Sequence, residues 1–332
     1  MPPFIGNTAI GRLLAECRRR DTLHHAYAFA GLDGVGKKRL ALQLAKSLNC
    51  ATAPAGLDAC DACVSCRKVD SGSHPDVQVI APETKVFKID QVRALIQEVY
   101  YLPFEGRRRV FILDDADRMN EEAANSLLKT LEEPPESSTL ILITANLYAL
   151  LPTIRSRTQV LKFQPIPVRE LEAYLREHAG LPALQAAAAA RLSGGSLGLA
   201  LSLDMEAVAA MQESAFELLT LMAHPNDAAL FKHLADAFPP NKNPELMLQI
   251  LISILRDLVI MDFFQDRDHV MHNDRMETLK TLRASFSPPV VEYLLREVEE
   301  LYRKRHLNLR LDTYIQNAIL RTRALLLRRI EA

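Results

Sequence analysis

The sequence predicts a parallel α/β domain followed by an all-helical region. Short apolar runs alternate with helical patterns through the first half of the 332-residue chain, which is typical of a parallel sheet covered on both faces. One run, Val110 to Leu113, ends in Asp114 and Asp115, as a strand does when it delivers carboxylates to the carboxyl edge of such a sheet. From Met205 onward the periodic segments have helical spacing. A chain of this length has room for two or three domains.

The composition is that of a globular protein. Hydrophobic residues make up 48% and charged residues 24% of the chain, which excludes disordered and collagen-like classes. The 40 Lys and Arg residues nearly balance the 41 Asp and Glu residues, so no overall basicity indicates nucleic acid. No segment approaches the roughly 20 apolar residues of a membrane span, and the N-terminus lacks an export signal. We therefore expect a cytoplasmic protein with no membrane contact.

Five strands and the helices between them are predicted in order. The strands are expected at His25 to Ala30, His74 to Ile80, Val110 to Leu113, Leu140 to Thr144 and Gln159 to Phe163. Helices are expected at Leu14 to Leu23, after the first strand, at Lys88 to Tyr101, and between Asn120 and Pro134. Asn120 can cap the last of these helices, and Pro134 and Pro135 end it. The result is a five-stranded sheet with helices on both faces.

The first predicted strand runs into GLDGVGKK, which matches a phosphate loop. Glycines let the backbone N–H groups turn around phosphate oxygens, and the lysine reaches the outer phosphates. The predicted nucleotide-binding residues are Gly31, Gly34, Gly36, Lys37 and Lys38. Lys38 stands where Ser or Thr would hold Mg²⁺, and an ammonium would repel the metal or replace it. ATP or ADP binding therefore stays open, as does a loop that binds nothing.

Polar residues at the ends of two central strands are the other candidates at this edge of the sheet. Asp114 and Asp115 are placed to meet a cation such as Mg²⁺, although a solvated acidic turn is the alternative. Thr144 and Asn146 end the fourth strand, where a polar side chain could orient water. A loop-capping role for Thr144 fits the spacing equally well.

Four of the five cysteines have the spacing of a metal knuckle. Cys50, Cys60, Cys63 and Cys66 form C-x₉-C-x₂-C-x₂-C, and two-residue gaps can place successive sulfurs around one tetrahedral Zn²⁺. The intervening residues are too few to bury a core of their own, so a metal would supply the folding energy. Reduced, unligated thiols are the alternative. Cys17 stands apart and is interpreted as a packed residue.

Two arginines flank Ser156 in LLPTIRSRT, just before the fifth predicted strand. Arg155 and Arg157 would ordinarily be surface charges. An arginine there can also be offered to the phosphates of a neighbouring subunit, where its planar fork neutralises charge that develops in phosphoryl transfer.

These motifs together resemble the bacterial DNA polymerase III clamp loader, an AAA+ ATPase family. The resemblance is carried by GLDGVGKK, the cysteine knuckle, FKIDQVR, VFILDDADRMNEEAANSLLKTLEEPP and LLPTIRSRT, and it covers most of residues 4 to 200. SLLKTLEEPP followed by SR is highly specific for clamp loaders. In that family the zinc knuckle occurs in the ATP-hydrolysing gamma/tau motor and in the delta-prime type of subunit.

Departures from the motor pattern make the delta-prime type the better match. Lys38 replaces the metal-binding hydroxyl, Asp115 stands at the position of the motor's water-activating glutamate, Thr158 replaces the cysteine of the SRC motif, and Gly198 replaces an arginine in SGGSLGLAL. The resemblance implies a ring subunit of the polymerase III holoenzyme with absent or weak intrinsic ATPase, which offers Arg157 in trans. The implied partners are gamma/tau and delta subunits and, through the complex, the sliding clamp and primer-template DNA.

Two other functions stay open. The chain could be a gamma/tau-type motor that uses Lys37, Asp114 and Asp115, or a zinc-containing nucleic-acid-binding module on a degenerate ATPase fold. Lys38 and Gly198 disfavour the first. The absence of a basic balance or an aromatic-rich patch disfavours the second.

The resemblance also implies three domains. They are an AAA+ α/β domain at 1–164 with the zinc module at 50–66, a small helical lid at 165–204, and a helical collar for oligomerisation at 205–332. Lid helices are expected at Glu170 to His178, Leu184 to Leu192 and Leu197 to Asp204. Collar helices are expected at Val208 to Met222, Ala228 to Ala237, Pro244 to Phe264, Met276 to Phe286, Pro289 to Tyr302 and Leu311 to Ile330. The 244–264 segment is apolar almost all round, which predicts a central position in a bundle or interface. A closed monomeric bundle is the alternative to the collar.

Overall fold

The computed structural model describes residues 4–52, 56–84, 86–224, 226–237, 244–263, 270–304 and 311–327. The chain divides into two compact units, Met1–Ser202 and Leu203–Ala332. The finer division into three domains stays a prediction. None of the helices in these described ranges is both long and apolar enough to cross a membrane.

The first unit is built on a five-stranded parallel sheet, as the sequence predicts. Its strands are β1 (Ala26–Ala30), β2 (Val77–Ile80), β3 (Arg109–Leu113), β4 (Ser138–Thr144) and β5 (Gln159–Lys162). They lie in the order β2-β3-β4-β1-β5, with every neighbouring pair parallel. The three central strands β1, β3 and β4 are buried along their whole length, which explains why they read as unbroken apolar runs.

Nine helices of the described chain accompany this sheet. They are α1 (Thr8–Arg19), α2 (Lys37–Asn49), α3 (Val64–Asp70), α4 (Ile89–Val99), α5 (Glu121–Glu132), α6 (Pro152–Arg155), α7 (Val168–His178), α8 (Ala183–Leu192) and α9 (Leu197–Ser202). One core joins a face of the sheet to α4, α5 and α6, and the core on the other face includes side chains of α1, α2 and α3. Asn120 caps α5 as predicted, because its Oδ1 accepts the N–H of Ala123 at 2.9 Å.

The second unit is helical throughout its described parts. Its helices are α10 (Met205–Ala223), α11 (Asp227–Ala237), α12 (Pro244–Ile260), α13 (Met276–Ser285), α14 (Pro288–Arg303) and α15 (Leu311–Leu327). Helix α12 packs against α10, α13 and α14, which explains its apolar character on nearly every side. The predicted extensions to residues 264 and 328–330 lie outside the described residues.

The largest differences from the predicted elements are local. Helix α1 begins at Thr8 and ends at Arg19, so it lies earlier in the chain than the predicted helix at Leu14 to Leu23. Helix α3 lies within the cysteine region and was not expected, because its seven residues are too few to show a helical period. Cys63 caps it, with its sulfur accepting the N–H of Cys66.

Candidate nucleotide pocket and cysteine cluster

A pocket of about 680 Å³ lies where the phosphate loop meets the carboxyl end of β3. It brings together residues from the phosphate loop, α2, the end of β3 and the start of α9. Its lining includes Asp33, Gly34, Gly36, Lys37, Lys38, Arg39, Asp114, Asp115 and Gly198, together with the apolar side chains of Leu42, Ile143, Leu197 and Leu201. Most of the predicted nucleotide-binding residues therefore meet in one cavity.

Lys37 is turned back into the loop that carries it. Its side chain is buried, and its ammonium donates to the carbonyl oxygens of Gly31 and Leu32 and to Asp33 Oδ1, the last two at 3.0 and 3.1 Å. The charge of Asp33 lies on an exposed side chain. The phosphate-loop lysine thus has its hydrogen bonds satisfied by its own loop.

Lys38 stands at the motif position of the Ser or Thr that would hold a metal. Its ammonium lies 3.0 Å from Asp114 Oδ2, and about half of the Lys38 side chain is exposed while Asp114 is mostly covered. Asp114, the carboxylate that the sequence predicts to meet a cation, is therefore paired with a cation of the chain itself. An incoming Mg²⁺ would meet an ammonium instead of a hydroxyl oxygen, which is the wrong charge for a metal ligand.

The start of α9 closes directly on the phosphate loop. The N–H of Gly198 donates to the carbonyl oxygen of Gly34 at 3.0 Å. A Cβ on Gly198 would lie 2.9 Å from the Cα of Gly34, and a Cβ on Gly34 would lie 2.2 Å from Ser196 Oγ. Only glycine fits this approach, so Gly198 does more than lack the arginine of a motor: it lets two backbone segments touch.

Asp115, the residue after Asp114, has an unusual backbone conformation. Its φ of 57° is in the left-handed region, and its carboxylate pairs with Arg118 at 3.3 Å. Burial, reinforced by the charges of Asp114 and Asp33, raises the pKa of Asp115 above its ordinary value despite the opposing effect of Arg118. Asp33, Asp114 and Asp115 all line the pocket.

Thr144 does not belong to the lining of the pocket. The residue is completely buried, and its Oγ1 accepts the N–H of Asn146 at 3.0 Å. Asn146 in turn accepts the N–H of Tyr148 through its Oδ1. These are the contacts of a loop cap, and a role of Thr144 toward nucleotide stays a prediction.

The four knuckle cysteines form one cluster. Their sulfurs all lie within 4.8 Å of one another, and the separations from Cys50 to Cys60, Cys60 to Cys66 and Cys50 to Cys63 are 3.5, 4.0 and 4.0 Å. With bonds of about 2.3 Å, a tetrahedral Zn²⁺ holds its sulfurs about 3.8 Å apart. The geometry therefore fits a four-thiolate metal site.

Backbone donors favour thiolates within the cluster. The N–H groups of Cys60, Cys63 and Cys66 point at the sulfurs of Cys50, Cys60 and Cys63 at 3.3 to 3.4 Å. Hydrogen bonds from Thr52 and from backbone N–H groups lower the pKa of the Cys60 thiol to about 5. Burial instead raises the pKa of Cys66, as expected for a thiol that is covered and lies beside other sulfurs.

A buried lysine connects the cluster to the sheet domain. The Lys46 side chain of α2 is fully covered, and its ammonium lies 2.7 Å from Asp61 Oδ1 and 2.6 Å from Asp70 Oδ1. Asp61 lies between two of the cysteines and Asp70 ends α3. This ion pair network holds the knuckle against α2.

Arg157 lies just beyond α6 and is held by its own chain. Its Nε donates to Glu132 Oε1 at 2.8 Å, its Nη2 also donates to Glu132 Oε1, and its Nη1 donates to the carbonyl oxygen of Thr153 at 3.0 Å. One third of the Arg157 side chain remains exposed. The guanidinium is therefore oriented at the protein surface without being enclosed.

Arg155 is not a free surface charge. Its guanidinium carbon lies 5.3 Å from the centre of the Tyr148 ring, which is within the range of a cation–π contact. Its Nε is buried and has no hydrogen-bond partner among the described residues.

Sequence reasoning missed the partners of the key charges. The pairs Lys38–Asp114, Lys46–Asp61 and Arg157–Glu132 join residues 15 to 76 positions apart. A separation of this size leaves no periodic signal in the sequence. The only hint was chemical, since an ammonium beside a carboxylate is one way for Lys38 to replace a metal.

Fold and site together define an AAA+ protein of the clamp loader kind: a parallel sheet, a phosphate loop with an altered metal position, a four-cysteine cluster and an arginine before the last strand. The family model described as "DNA polymerase III, delta subunit" matches residues 6–167. The chain is 30% identical over 315 residues to the DNA polymerase III subunit delta' of Bacillus subtilis, which covers 93% of this chain and 94% of that protein.

Two further relatives cover less of the chain. The subunit delta' of Pseudomonas aeruginosa is 41% identical over 176 residues, covering 52% of this chain and 53% of that protein. The subunit tau of Escherichia coli is 34% identical over 212 residues, covering 62% of this chain and 32% of that protein. The chain belongs to the family of DNA polymerase III delta-prime subunits, and it is a delta-prime-like subunit of the clamp loader.

Proposed function

We propose that this subunit completes the loader ring without hydrolysing ATP and offers Arg157 to the ATP bound by a neighbouring subunit. The observation that carries the first part is the ion pair between Lys38 and Asp114. A motor needs a metal at that carboxylate to neutralise charge in phosphoryl transfer, and here an ammonium of the chain is paired with it.

The second part is supported by the surface position of Arg157. The guanidinium is partly exposed. Arg157 follows α6, which ends at Arg155 and lies on the same face of the sheet as α5. It is absent from the lining of the chain's own phosphate pocket. A guanidinium presented outward in this way suits the phosphates of a second subunit.

The proposed cofactor is one structural Zn²⁺ held by Cys50, Cys60, Cys63 and Cys66, because the sulfur spacing matches a tetrahedral ion. Such an ion would supply folding energy to the knuckle and take no part in chemistry. The proposed partners are gamma/tau and delta subunits in a ring and, through the complex, the sliding clamp and primer-template DNA. We also propose a cytoplasmic location, where a subunit with these partners would act.

The test is a clamp loader reconstituted with gamma/tau and delta subunits and the Arg157→Ala form of this chain. An arginine supplied in trans is worth about 10³ to 10⁵ in turnover at its own site, and other active sites in the ring dilute that loss. We expect normal assembly, with DNA- and clamp-stimulated ATPase and clamp loading lowered by about half or more.

Two control variants sharpen this test. Arg169 is an exposed arginine on α7, and Arg169→Ala is expected to leave both rates unchanged. Arg155→Ala is expected to lower them less than Arg157→Ala, because its guanidinium is engaged by Tyr148. If the Arg157→Ala complex loads clamps at the unmodified rate, the trans-acting role is wrong and the chain is a structural member of the ring.

A further inference from the structure

The contacts of Arg157 single out one acidic residue. Glu132 Oε1 accepts from both Nε and Nη2 of Arg157, so one carboxylate oxygen fixes one edge of the guanidinium. The Thr153 carbonyl oxygen accepts from Nη1 on another side. A planar group held at two sides has lost most of its rotational freedom.

Glu132 is itself placed by a rigid element. It is the last residue of α5, whose Leu127 and Leu131 are buried in the core beneath the sheet, and α5 packs against α6. Arg157 follows α6 by two residues. The pair therefore joins the ends of two helices that are packed against each other, so its geometry is set by the core of the domain.

We propose that Glu132 is a positioning residue for Arg157, holding the guanidinium in the orientation in which it meets a neighbour's nucleotide. This inference rests on the proposed function of Arg157. An arginine side chain loses rotamer freedom when it is fixed, and a residue that restricts it in advance removes that cost from the step in which the phosphates are contacted. Glu132 touches no phosphate in this proposal.

The experiment compares Glu132→Ala, Glu132→Gln and Arg157→Ala in the reconstituted loader, by ATP-concentration series of the DNA- and clamp-stimulated ATPase. Glu132→Ala is expected to lower kcat by about two- to fivefold, the range set by the energy of one exposed ion pair. KM for ATP should stay unchanged, because ATP binds in the neighbour's pocket. Glu132→Gln keeps a carbonyl oxygen that accepts both N–H groups, so it should retain most of the kcat.

The matched control is Glu133→Ala, the next residue along the chain, whose side chain is exposed. It should leave kcat unchanged. The double variant Glu132→Ala/Arg157→Ala should be no slower than Arg157→Ala alone, because Glu132 acts only through Arg157. A further loss in the double variant would mean that Glu132 acts elsewhere, and the proposal would fail.

The remaining outcomes separate this inference from the proposed function. If Arg157→Ala lowers kcat and Glu132→Ala leaves it unchanged or raises it, Glu132 does not position the arginine, whereas the trans-acting role stands. If Arg157→Ala itself has no effect, the proposed function fails and this inference fails with it. A rise in KM with Glu132→Ala, instead of a fall in kcat, would also contradict positioning.

Discussion

The phosphate pocket and the cysteine cluster both have the sequence pattern of a cation site, yet their charges are arranged in opposite ways. In the pocket, Lys38 lies 3.0 Å from Asp114, so the chain supplies its own cation. In the cluster, four sulfurs lie within 4.8 Å of one another. Lys46, which holds the knuckle against α2, directs its charge to Asp61 and Asp70.

The contrast separates a metal motif that has lost a ligand from one whose ligand set is complete. When a lost ligand is replaced by a residue whose charge has the same sign as the metal's, that residue can neutralise the remaining carboxylate without a metal. Such a site can persist as a structural element. A complete set of thiols that face one another is balanced only when a cation is added. The first arrangement predicts a site whose structure does not depend on Mg²⁺, and the second predicts a site whose structure depends on Zn²⁺.

Among the variants that test this contrast, one that lacks a cysteine ligand should show the largest effect. We expect Cys63→Ser to release the metal and to lower the free energy of unfolding by about 3 to 5 kcal/mol, because the knuckle has little core of its own. Elemental analysis and urea unfolding would measure both. Cys17→Ser, outside the cluster on α1, should keep one zinc per chain, and a zinc-free unmodified protein purified without chelator would refute the zinc site.

Restoring a hydroxyl in the pocket should have the next largest effect. We expect Lys38→Thr to strengthen Mg²⁺-nucleotide binding by about tenfold, because the ammonium at Asp114 is replaced by a neutral oxygen. Turnover should stay absent, since Gly198 leaves no arginine over the phosphates. Titration calorimetry with and without Mg²⁺ measures this change. The control is Lys38→Arg, which keeps the charge; equal affinities for the two variants would show that the ion pair does not control metal binding.

The smallest expected effect concerns the pH dependence of stability at Asp115. Its pKa is raised in the folded chain, so its contribution to stability is complete below the unfolded value of about 3.9 and is lost as the pH rises through the folded pKa. Asp115→Asn, which tolerates the left-handed φ of 57°, should remove this loss.

Urea unfolding of both proteins at pH 4 and pH 7 tests this expectation. The advantage of Asp115→Asn should grow toward neutral pH by a few tenths of a kcal/mol, a small value because the side chain is 39% exposed and screened by solvent. An advantage that is equal at both pH values would mean that the carboxylate's ionisation does not oppose folding.

Local patterns along the chain were enough to predict the class of fold, the order of the strands along the chain and the identity of the cysteine set. Strands buried on both faces must be apolar throughout, as β3 and β4 are, and such runs are visible without coordinates. Ligand spacing within a knuckle is likewise a local property, because residues a few positions apart can only lie close together.

Which charges meet depends on the packing of the folded chain. Lys38 and Asp114, like Glu132 and Arg157, come from separate elements, and their contact depends on how strands and helices pack around one core. The same holds for the contact of Gly34 with Gly198, where the start of α9 approaches the phosphate loop closely enough to exclude a side chain. Such pairings are set by packing between elements far apart in sequence, and no pattern of residue types along the chain encodes them.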